Sequence, residues 1–131
     1  MNPITQFREI VAAAGKAFRP ESGAPEIIPF GAALVELVRA NPREREAFER
    51  EFMESTAVAP PELLEFCMHA LRWESLRTVF RERQDAAIAR NDWRSEPYYR
   101  HLLEAFDDEW EDATDFYAEY FRGRARERPG G

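Results

Sequence analysis

Chemistry near neutral pH would have to start from two histidines, His69 and His101, and one cysteine, Cys67. His69 has Glu65 four residues before it and Arg72 three after, a spacing that puts all three on one helix face. That geometry suits ordinary side-chain pairing, and it equally suits a general acid–base group. His101 has Glu104 at the next turn and Tyr98 at the preceding one. Were the two histidines to converge, Glu65, His69, His101 and Glu104 would line the pocket of a small helical enzyme or ligand-binding protein.

Metal chemistry finds less support. Di-iron bundles use Glu-x-x-His twice, and the motif does not occur in the chain. Cys67 and His69 are two apart, so on a helix they point roughly 200° from one another and cannot share a zinc ion. Cys67 falls on an apolar face, where a thiol packs rather than reacts. Ser22, Ser55, Ser75 and Ser95 lack a nucleophile-elbow context, and the six glycines build no phosphate-binding loop. The sequence therefore predicts no cofactor and no metal.

Charge is the most unusual feature. From Glu104 to Glu119 there are eight acids and no Lys or Arg, followed at once by Arg122, Arg124, Arg126 and Arg128. An EF-hand reading fails for want of its alternating oxygen ligands and central glycine. Drawn on a helix, Asp108, Glu111, Asp112, Asp115 and Glu119 share one side within about 17 Å and leave the aromatics on the other. Such a face steers cationic partners; the same pattern also suits a plain solvated face. Nearby, Trp93, Tyr98 and Arg100 sit at a helix junction. Exposed residues of these types dominate interface energetics, and half-buried corner packing is the competing reading.

These groups must be positioned by 131 residues, enough for one domain. The chain is 44% hydrophobic and 33% charged, a globular balance rather than a disordered or membrane-spanning one. A net charge of −7 argues against direct nucleic-acid binding and against anionic membranes. A lone cysteine and no secretory signal predict a cytoplasmic protein. Lys16 is the only lysine among the eighteen bases, as expected of a GC-rich, bacterial genome.

The hydrophobic spacing is helical almost throughout, so the fold expected is all-α, about seven short helices stacked as antiparallel hairpins. Ile4, Phe7, Val11, Ala14 and Phe18 line a first helix; residues 19–29, with three prolines, read as a loop. A second helix covers about 30–40. Asn41 and Glu44 look like a capping box for the third, whose Arg43, Glu46, Arg50 and Glu54 face water. The fourth, 62–71, is apolar nearly all round and should be central. A fifth carries Leu76, Val79, Phe80, Ala87 and Ile88 inward, a sixth begins near Ser95, and a seventh, capped by Asp107 or Asp108, turns Trp110, Ala113, Phe116 or Tyr117, Tyr120 and Phe121 inward. The pair Ala70-Leu71 with Trp73, and Ala105-Phe106 with Trp110, repeat at roughly 35 residues. Over residues 60–122 this spacing resembles the HEAT-type helical repeat class, without a consensus motif. Residues 1–122 form the single domain and 123–131 a flexible tail.

The functional expectation is a non-enzymatic interaction module, an adaptor, inhibitor or immunity-type protein. Its acidic last helix and the Trp93–Arg100 junction would meet a basic protein surface. A homodimer through apolar helix faces is a further expectation.

Overall fold

The computed structural model describes residues 2–18 and 24–121; the stretch 19–23 and the tail expected at 123–131 lie outside it. Among the described residues every regular element is helical and none is a strand: α1 (Pro3–Ala17), α2 (Ile28–Ala40), α3 (Arg45–Ser55), α4 (Pro61–Leu71), α5 (Glu74–Ala89), α6 (Ser95–Glu104) and α7 (Glu111–Thr114). The all-α class is thus shown. None of these helices is long and apolar enough to cross a membrane.

The apolar helix is indeed the middle one. On α4, Leu63, Leu64, Phe66, Cys67 and Met68 are fully buried, because an apolar circumference can be hidden only by neighbours on several sides. Those neighbours are chiefly α2 and α6. Consecutive helices pack in the pairs α1–α2 and α5–α6, while α3 lies on α1 and α5. Phe7 of α1 meets Phe48 and Phe52 of α3 at ring centroid distances of 5.8 and 4.9 Å. Alongside, Arg8 donates two hydrogen bonds to the buried carboxylate of Glu51, at 2.7 and 2.9 Å. Arg43, Glu46, Arg50 and Glu54 face water as their spacing predicts.

Three local expectations are corrected. Residues 24–29 are not loop: Ala24–Ile27 form a 3₁₀ turn that runs into α2. Pro29 sits in the first turn of α2, where its missing N–H has no helical partner to lose. Asn41 makes no capping box; its side-chain amide donates to the Leu37 carbonyl at 2.9 Å and finishes α2 instead. Ile88 is 56% exposed, because the stripe set by Leu76 and Phe80 reaches Ala87 and leaves position 88 about a third of a turn away.

The largest correction is at the end. α7 stops after Thr114, and residues 118–121 resume helical turns separately. Asp115 departs from helical geometry, and the Tyr117 N–H reaches back to the Asp112 carbonyl, five residues away. The break lets Tyr117 bury fully against Phe66 while Phe116 stays outside. Asp107 and Asp108 do not cap α7 with their side chains.

Cys67 is fully buried, and burial pushes its thiol pKa far up. A neutral thiol without access is inert. Ellman's reagent is therefore expected to leave native protein unmodified and to titrate one thiol only as urea unfolds the chain. Stoichiometric reaction in buffer would contradict this packing.

Candidate acidic cleft

The polar stripe of α4, Glu62, Glu65, His69 and Arg72, is the surface on which the C-terminal segment rests. His69 is only 4% exposed. Its Nδ1 lies 2.8 Å from the Ala105 carbonyl, and its Nε2 lies 3.1 Å from an Arg72 nitrogen. A carbonyl only accepts and a guanidinium only donates, so the ring is the neutral tautomer with its proton on Nδ1. Trp110 and Phe121 pack on the imidazole at 5.1 and 4.7 Å between centroids. Arg72 also pairs with Asp108, across the gap between α4 and the α6–α7 connection.

Where α4, α6 and α7 meet, a cavity of about 430 Å³ opens, lined by Glu65, His101, Glu104, Asp107, Glu109, Trp110, Glu111 and Asp112. Six of these eight side chains are acids, and none is Lys or Arg. His101 Nδ1 sits 3.3 Å from Glu104 Oε2. Glu65 is the inner acid. Burial, and then the nearby charges of Glu62, Asp112 and Glu104, push its pKa from 4.5 up to about 8. Asp112 is raised as well, mainly by burial and then by Glu111, Asp115 and Glu104.

The sequence-derived residues divide clearly. Glu111 and Asp112 line the cleft, whereas Asp115 and Glu119 are exposed outside it. Asp108 is removed from the free acidic face by its pairing with Arg72. α7 spans only Glu111–Thr114, so Asp108 falls in the connection before it and Asp115 and Glu119 fall beyond its break, where one continuous helix would have kept the five acids together. Glu65, His101 and Glu104 line one cleft, but the convergence of the two histidines that the pocket reading required is not found there: His69 does not line the cleft and is packed among rings instead. Asp107 and Glu109 were not singled out by spacing, although both belong to the acidic block. Among the described residues no group of three or more His, Cys, Asp or Glu is arranged to hold a metal ion.

The helix junction is more open than corner packing would leave it. Trp93 is 80% exposed. Tyr98 is half-buried, and its hydroxyl donates to the Thr56 carbonyl at 3.3 Å. Arg100 is exposed and stands 3.9 Å from Glu96. Asp92 accepts the Arg94 and Ser95 amides and so starts α6 with its side chain; bonds from Ser95 hold its pKa down at about 2. The fixed turn leaves the Trp93 ring in water.

Compared with known protein families, with characterised proteins and with solved structures, the chain has no significant match.

Proposed function

We propose that this protein is a non-enzymatic interaction module that receives a basic segment of a partner protein in the α4–α6–α7 cleft. The observation that carries the reading is the lining itself: six acids around one concavity without a Lys or Arg among them. Like charges held this close raise one another's free energy, and a partner's Lys or Arg side chains would relieve it. The exposed Trp93, just before α6, and Arg100, within it, offer a second contact region of residue types that contribute most at interfaces. An adaptor, an inhibitor, an immunity-type protein or an acidic mimic of nucleic acid would each use such a surface. The catalytic alternative ranks below it, because it needed His69 beside His101, and His69 is packed among rings outside the cleft.

Calorimetry with an arginine- and lysine-rich peptide tests the reading. Binding is expected at low salt and should weaken steadily as ionic strength rises, since exposed charges are screened within ~10 Å at about 0.1 M. Neutralising Glu104, Glu111 and Asp112 together should lower affinity by about threefold to a hundredfold, at ~0.2–1 kcal/mol per rim charge pair. Trp93→Ala should weaken binding while leaving stability within ~0.5 kcal/mol. Affinity indifferent to salt and to the triple substitution would overturn the proposal.

A further inference from the structure

On one side the same cleft is walled by a segment that is held to α4 beside an acid. Trp110, Tyr117 and Phe121 hold the C-terminal segment to α4 through ring contacts with His69 and Phe66. One turn before His69 on that helix, Glu65 lines the cavity that α7 helps to wall. Carboxylates from three elements crowd it: Glu62 from α4 itself, Glu104 from α6 and Asp112 from α7. Glu62 Oε2 is buried with no hydrogen-bond partner among the described residues. The remaining titratable groups near Glu65 are His101 and Tyr98 on α6 and Tyr117 beyond α7, with the rim acids Asp107, Glu109 and Glu111 further out. Within this arrangement a proton on one carboxyl is the relief the chain itself can supply.

We propose that the Glu65 proton is a latch for the C-terminal segment: residues 110–121 dock on α4 while that carboxyl is neutral, and they are released as the proton leaves. The cleft loses its α7 wall on release, so the latch sets the pH range in which the cleft exists. Below 4.5 the carboxyl is protonated whether the segment is docked or released, and pH has no leverage. Between the released form's pKa, which Glu62 and Glu104 keep above 4.5 because they stay beside the carboxyl, and about 8, the released form ionises and the docked form does not. Each pH unit there favours release by about tenfold. Above about 8 both forms are ionised and the bias is complete.

Backbone amide hydrogen exchange of the free protein reads this directly and needs no partner, so a failed latch and a failed binding reading are distinguishable. The comparison is with Glu65→Gln, which keeps the volume and cannot ionise; dividing the two rates at each pH removes the intrinsic pH dependence of exchange. For residues 110–121 the wild-type to variant ratio should climb by up to about tenfold per unit within that window and level off near pH 8. Glu104→Gln should shift that climb to lower pH by removing one of the charges that keep the proton on. A ratio flat across pH, an unmoved climb in Glu104→Gln, or the same climb in α1 and α3 would each overturn the latch.

Discussion

Gly31→Ala is expected to destabilise the protein by about 1–3 kcal/mol, although alanine is the better helix former by ~0.5–1 kcal/mol. Gly31 lies inside α2, and a Cβ there would stand 2.2 Å from Phe66 Cδ1. The ring cannot retreat: Tyr117, Tyr120 and Phe121 surround it at 5.3, 4.9 and 5.0 Å between centroids. Phe66→Ala alone should cost about 3–5 kcal/mol, the usual range for emptying a buried aromatic site. The two changes should not add. With the ring gone the methyl has room, so Gly31→Ala becomes neutral or stabilising in that background. Urea unfolding of the four variants in the cycle measures this, with Phe66→Leu as the milder background should Phe66→Ala not fold. Additive costs would mean that α2 and α4 do not meet at this pair.

The second large effect is at His69. Replacing it by leucine should cost about 3 kcal/mol. Roughly 1–3 kcal/mol comes from leaving the Ala105 carbonyl without its donor, and ~0.5–1.5 from each lost ring contact with Trp110 and Phe121. His69→Asn separates the two contributions, because an asparagine amide nitrogen occupies nearly the place of Nδ1. It should recover about 1 kcal/mol of the loss and none of the ring packing. Equal losses in the two variants, read from urea midpoints, would show that the hydrogen bond contributes nothing.

The sequence made the fold legible where one helix face answers to one core. The apolar circumference of α4 forced it to the centre, and the stripe of α1 placed Phe7, Val11 and Ala14 inside. Where a position depends on what another element brings, spacing alone was blind. Nothing in the spacing marks Glu51 as buried before Arg8 approaches from α1, and of Ala87 and Ile88, both read as inward, only Ala87 is core. Proline gave a second kind of miss, because Pro25 and Pro29 suit a loop and equally suit the entry to a helix.

The candidate site was half legible for the same reason. The density of acids after Glu104 announced a strongly acidic surface. Its shape did not follow, because the turn at 115–117 is set by burial of Tyr117 on Phe66, a contact about fifty residues distant in the chain. The stretch before that turn, residues 107–112, meets α4 and α6 around a cleft instead of presenting a flat acidic face, with Glu65 as the inner carboxylate. Reading Glu65 with His69 was sound as helix geometry. The ring went into the aromatic layer while the carboxylate went to the cleft, since α4 is covered by different neighbours at successive turns.

Amide NMR shifts of ¹⁵N-labelled protein, followed as the arginine- and lysine-rich peptide is added at low salt, locate the surface that receives it. Shifts concentrated at Glu65, at residues 101–104 and at 107–112, and reversed by added salt, are the result expected. Shifts confined to the apolar groove of Ile10, Phe30 and Leu37 between α1 and α2, or no shifts at any peptide concentration, would contradict the acidic cleft as the working surface.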